Sequence, residues 1–166
     1  MELVCLYESK LVHHAMLDEL LTRMGRRTVA QQLPDCIGAS KELCEAFAKA
    51  YLQAFREPFG PEDDLPRLAG RVRGVMTRRA QGPGDVAPGT LKRILGGLGG
   101  MVQGVAEMRN TVGTGHGRPV PPQGLTPAMA NLAAESATVF CLFLARTFLE
   151  DARRGSATER LAREGA

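Results

Sequence analysis

The sequence predicts an all-α protein, folded as an antiparallel helical bundle of about five helices. Three observations carry this. Leucine (20) and alanine (21) far outnumber isoleucine (2) and tyrosine (2), and tryptophan is absent. Good helix formers therefore dominate and strand formers are scarce. Apolar residues recur at three- and four-residue spacings through five stretches, and no segment alternates as a half-buried strand would. The connections between stretches are short to medium, which suits antiparallel neighbours. With 166 residues, 44% of them hydrophobic, the chain fits one domain with enough apolar material for a core.

The first helix is expected over about 8–24, with Leu11, Met16, Leu17, Leu20 and Leu21 near one face and Gly25 at its end. The second, about 36–56, places Ile37, Cys44, Phe47, Tyr51 and Phe55 at helical spacing. Asp35 stands where an N-cap belongs, and Pro34 closes what precedes it. A third helix covers about 65–79 and is followed by a Gly/Pro-rich loop. The fourth starts at Thr90 as its N-cap. Its stripe runs through Leu91, Ile94, Leu95, Leu98, Met101, Val102, Val105, Met108 and Val112. The fifth, about 126–152, carries Leu132, Ser136, Val139, Phe140, Phe143, Leu144 and Phe148. This divides the chain into an N-terminal helical extension (1–33), a main helical domain (34–152) and a polar tail (153–166) expected to fray.

No apolar run approaches the ~20 residues of a membrane span, and the N-terminus lacks a basic segment followed by an apolar one. The expected class is a soluble, cytoplasmic domain without membrane contact. The four cysteines, Cys5, Cys36, Cys44 and Cys141, form no C-x-x-C pair. Cys44 and Cys141 read as small core fillers. His13 and His14 are adjacent and point in different directions on a helix. No metal and no other cofactor is expected. The net charge is only +3, with arginine (17) far above lysine (4). GC-rich coding sequence accounts for that excess as readily as phosphate recognition does. The run Arg67, Arg71, Arg73, Arg78 and Arg79 reads either as a solvated face or as a track for RNA.

Glycine is over-represented, and eight of its 19 residues fall between Gly96 and Gly117. Gly96, Gly97, Gly99, Gly100 and Gly104 lie inside the fourth helix, where each costs roughly 1 kcal/mol relative to alanine. Either a helix of the same chain packs closely there, or a second chain approaches across a two-fold axis. The other three, Gly113, Gly115 and Gly117, surround His116 and shape a loop.

That loop belongs to the string Met108-Arg109-Asn110-Thr111-Val112-Gly113-Thr114-Gly115-His116-Gly117-Arg118. Arg109 follows Val105 by four residues and precedes Val112 by three, so it lies on or beside the apolar stripe. A charge there needs a reason, because burying it unpaired is costly. One reading is a last-turn cation facing the helix dipole, with Gly113 ending the helix and His116 on the surface. The other is a loop that folds His116 back beside Arg109. A phosphate-cradling loop fits poorly, since such loops follow a strand and open a helix.

These residues resemble the signature of the abortive-infection C-terminal domain family. That family belongs to the HEPN superfamily (higher-eukaryote and prokaryote nucleotide-binding), which is marked by Arg, usually a polar residue, and His a few positions later. The stretch Ile37-Gly38-Ala39-Ser40-Lys41-Glu42-Leu43-Cys44-Glu45 is similar to the family's opening helix. Asp64-Leu65-Pro66-Arg67-Leu68, Ile94-Leu95-Gly96-Gly97-Leu98 and Ala130-Asn131-Leu132-Ala133 fall where the family has similar segments, so the likeness spans about 34–150.

The resemblance implies a dimerising all-α bundle that, in many relatives, cleaves RNA without a metal. Arg109, Asn110 and His116 would then be catalytic, and Lys41, Glu42 and Arg118 would line the substrate cleft. Lys41 is placed to contact phosphate and Glu42 to pair with Arg109. A phage-defence or toxin-like role follows, with RNA as substrate, a second copy as partner and an antitoxin or sensor protein as regulator. The alternative is a non-catalytic dimeric module that binds nucleotide, RNA or a protein.

Overall fold

The computed structural model describes residues 3–26, 30–79, 88–112 and 124–164. Its elements are α1 (Val4–Glu8), α2 (His14–Gly25), a 3-10 turn (Ala30–Gln32), α3 (Leu33–Ala54), α4 (Leu65–Arg79), α5 (Pro88–Val112) and α6 (Pro127–Glu164). The described residues are helical with short connections and contain no strand, so the all-α class is met with six helices instead of five.

The expected first helix is two. Lys10 sits in the left-handed region (φ 52°) and ends α1. The Ser9 hydroxyl donates to the Leu6 carbonyl (2.8 Å) inside the same turn. His13 then starts α2, its Nδ1 accepting from the Ala15 N–H at 3.4 Å. Periodicity alone cannot register such a break. At α3 the helix begins two residues before the expected cap, with Pro34 inside the first turn, where its missing N–H costs nothing. Asp35 instead accepts from Arg23. α5 likewise opens at Pro88, ahead of Thr90. At the other end of the chain α6 runs on to Glu164, through the tail expected to fray. Alanine, arginine, leucine and glutamate there propagate an established helix readily.

α3 is the central helix, with Ile37, Leu43, Cys44, Phe47, Tyr51 and Leu52 wholly inaccessible. It runs parallel to α6: Cys36 Sγ lies 3.8 Å from the Ala130 carbonyl, and twelve or more residues further on the Phe55 ring meets Phe148 edge-on at 6.3 Å. α5 runs antiparallel to both, its Leu95 and Leu98 meeting Phe140 and Phe143 of α6 in one small crevice. The first turns of α3 and the last turns of α5 therefore share one end of the bundle.

Residues 55–64 return along α4 as a strap. Arg56 makes the turn with φ 56°. Glu57 then pairs with Arg78 and Asp63 with Arg71 (2.8 Å), while the Asp64 side chain caps α4 at the Arg67 N–H (3.0 Å). The Gly60 N–H and the Arg71 guanidinium together hold the Asp63 carboxyl below its usual range, against the opposing effect of burial.

α6 contains one window long and apolar enough to cross a membrane, at mean hydropathy 1.5. This corrects the expectation that no such run exists. In the bundle 56% of that window is buried, because α6 packs along α3 through Ala130, Ala133, Ala134, Ala137, Cys141 and Leu144.

The glycines of α5 also require a correction. No described neighbour lies within 4 Å of a Cβ built at Gly96, Gly97, Gly99, Gly100 or Gly104. Within this chain nothing packs closely on them, because α5 buries a different side, through Leu95, Val102, Val105 and Ala106. Replacing Gly97 or Gly104 by alanine should therefore stabilise the isolated chain by about 0.5–1 kcal/mol each. Urea unfolding at low protein concentration measures this, and a loss of stability would show that the positions are already packed.

Candidate functional site

Arg109 stands in the last turn of α5. It follows Val102 by seven residues and Val105 by four, on the side that faces the core, and is only partly accessible. No described carboxylate lies within ion-pair distance of it. Asn110, next along the helix, is exposed. The C-terminal dipole favours a cation at Arg109, by roughly 0.3–1 kcal/mol. That contribution is small beside the cost of enclosing an unpaired guanidinium.

The contrast with Arg23 is sharp. Its guanidinium donates to Asp35 (2.9 Å from Nε) and to Glu42 (2.6 Å from Nη1), with Glu19 at 3.9 Å. Glu42 and then Asp35 push its pKa up from the ordinary arginine value, against desolvation. This cluster ties α2 to α3. It also corrects the expected Glu42–Arg109 pair: Glu42 shares its face of α3 with Asp35, seven residues earlier, and α2 covers that face.

Lys41 lies at the same end of the bundle. Its Nζ is 2.6 Å from Glu45 Oε1, and each side chain is about four-fifths buried (21% and 22% exposed). The sequence reading passed over Glu45, although its position four residues after Lys41 is a readable helix pair. Arg23 and Asp35 were missed for a different reason, since their contact is tertiary and no local spacing announces it.

Gly113, Gly115, His116, Gly117 and Arg118 lie outside the described residues. The expectations placed on them carry over as sequence readings only.

The basic run on α4 is largely internal. Arg71 pairs with Asp63, Arg78 with Glu57, and Arg79 with Asp151 (2.9 Å) while stacking 4.3 Å over the Phe55 ring. Arg67 and Arg73 remain exposed, which is too little for a continuous phosphate track. An open groove of about 390 Å³ between α1, the end of α2 and α6 is lined mainly by Leu3, Leu21, Met24, Val139 and Leu142, with Glu135 at its rim. Its one charged group is negative, so it does not suit phosphate. Among the described residues no cluster of three His, Cys, Asp or Glu is arranged to hold a metal.

The family model of Abi_C, described as a HEPN-like domain, matches residues 14–148. The chain belongs to the Abi_C family. The matched span includes Lys41, Arg109, Asn110 and His116, and it begins with α2, upstream of the resemblance read from residue 34. No curated protein and no solved structure matches the chain. In this Abi_C domain the two half-buried arginines should respond differently to substitution. Arg109→Met should leave stability within about 1 kcal/mol of wild type. Arg23→Met should lower it by about 1–2 kcal/mol once screening at the half-exposed carboxylates is allowed for. Thermal unfolding of both variants checks this, and a larger loss for Arg109→Met would assign that residue to the framework.

Proposed function

We propose that this Abi_C domain is a metal-independent endoribonuclease, acting in the cytoplasm as a toxin-like or phage-defence effector. The observation that carries the reading is Arg109: a partly enclosed guanidinium without a carboxylate partner, on the helix that leads directly into the His116 string. Four residues separate His116 from Val112, so its Cα lies within about 14 Å of the helix end by chain length alone.

The chemistry suits these residue types. His116, titrating near neutrality, takes the proton from a ribose 2′-OH. The O2′–P bond forms, the P–O5′ bond breaks, and a second protonated group supplies the proton that O5′ acquires. Arg109 supplies fixed charge and donors where the phosphorane gathers negative charge. Asn110, exposed beside it, orients the imidazole or holds a phosphate oxygen. Lys41 and Arg118 contact flanking phosphates, and Gly113, Gly115 and Gly117 shape the turn that carries His116. The products are a 2′,3′-cyclic phosphate and a 5′-hydroxyl.

A second copy of the chain fits this scheme. The outward faces of α5 and α6 expose Ile94 (63%), Met101 (42%), Leu132 (60%) and Val139 (51%), with Gly97 and Gly104 open to close approach. A two-fold pairing there buries apolar surface that this chain leaves uncovered and brings two sites together, so that acid and base come from different copies. An antitoxin or sensor protein would then control the paired site.

The internal pairing of Arg71, Arg78 and Arg79 favours a second reading, a non-catalytic module that binds nucleotide, RNA or a protein. Purified wild type and His116→Ala, compared on single-stranded RNA in EDTA, separate the two. Wild type should cleave and leave cyclic-phosphate ends, with His116→Ala slower by about 10²–10⁴-fold. Equal cleavage by both overturns the catalytic assignment. No cleavage of a broad RNA panel, together with tight nucleotide binding, establishes the module.

A further inference from the structure

The carboxylates of α3 near the Arg109 end have different commitments. Asp35 and Glu42 bind Arg23, a planar fork held by both at once. Such a site exchanges partners reluctantly, because releasing one carboxylate leaves the other half of the cluster unbalanced. Glu45 holds only Lys41, through a single contact of 2.6 Å. Lysine is a compact charge on a flexible stem with three rotatable donors, so it can trade one oxygen anion for another without reorganising the helix. The pair also runs with lysine first and glutamate four residues later, which is the less favourable order against the helix dipole. Both groups are largely withdrawn from water, so Lys41 needs an anion at all times and is poorly satisfied by the one it has.

We propose that Glu45 is the resident counter-ion of Lys41 and is displaced by a backbone phosphate when RNA enters. The proposal rests on the reading of this end of the bundle as the RNA-handling end. Before substrate arrives, Glu45 neutralises Lys41 and leaves Arg109 as the unpaired cation that makes the first contact. As a phosphate takes Lys41, the Glu45 carboxylate swings out to solvent, along the edge where it is already about one-fifth exposed. Glu45 therefore weakens binding in return for keeping the empty site neutral, and it acts only through Lys41.

The test is a double-mutant cycle read by fluorescence anisotropy, using a single-stranded RNA with 2′-O-methyl riboses, which the proposed reaction cannot cleave. Glu45→Gln should tighten binding by about three- to ten-fold. Lys41→Met should weaken it and flatten the salt dependence by roughly 0.7 in log–log slope. In the Lys41→Met background, Glu45→Gln should then have no further effect. Glu150→Gln, an exposed change near the opposite end of the bundle, alters net charge equally and serves as the control. A gain from Glu45→Gln no larger than the control, or one that persists without Lys41, overturns the proposal. If wild type binds and Arg109→Met abolishes binding while Glu45→Gln is silent, the counter-ion role alone has failed. If wild type does not bind this RNA at all, the RNA-handling reading fails and takes this inference with it.

Discussion

Because α3 packs parallel to α6 along its whole length, every other helix has its place and direction constrained. Cys36 against Ala130 and Phe55 against Phe148 fix the register of the two helices. The chain then has to return from the end of α3 to the start of α4, which the strap accomplishes by running back along α4 with Glu57 and Asp63 pinned to its arginines. α5 follows antiparallel to α4 and delivers its last turn to the end where α3 begins. The neighbourhood of Lys41 and Arg109 is thus a consequence of topology and does not depend on sequence proximity.

Within that frame, charge pairing separates architecture from function. Arg23, Arg71, Arg78 and Arg79 each satisfy a carboxylate on another element and hold elements together. Lys41 has one local partner, and Arg109 has none among the described residues. A fold does not need a half-enclosed cation with no counter-charge, and keeping one opposes the desolvation cost that paired groups avoid. An anionic ligand supplies the missing partner, and the Abi_C membership makes RNA a chemically coherent choice.

The class of fold and four of the helices were legible because leucine and alanine at helical spacing leave little else possible. Cys44 and Cys141 proved to be core residues for the same reason. Periodicity failed where a single residue decided the backbone, as at Lys10, whose left-handed turn splits the first helix. It also failed at the glycines of α5, where composition shows that small residues are present but not which side of the helix the core takes. Arg109 was readable as an anomaly on an apolar stripe. The partner of Glu42 was not, since an arginine nineteen positions earlier reaches it only after α2 has packed on α3.

The account turns on Arg109 being an anion-receiving group while Arg23 is a structural one. The most direct measurement follows the Nε–Hε signals of both side chains by nuclear magnetic resonance as a 2′-O-methyl dinucleotide is added. The Arg109 signal should shift and saturate, and the Arg23 signal, whose Nε is already bound to Asp35 at 2.9 Å, should stay in place. An unmoved Arg109, or equal movement of both, would contradict the assignment.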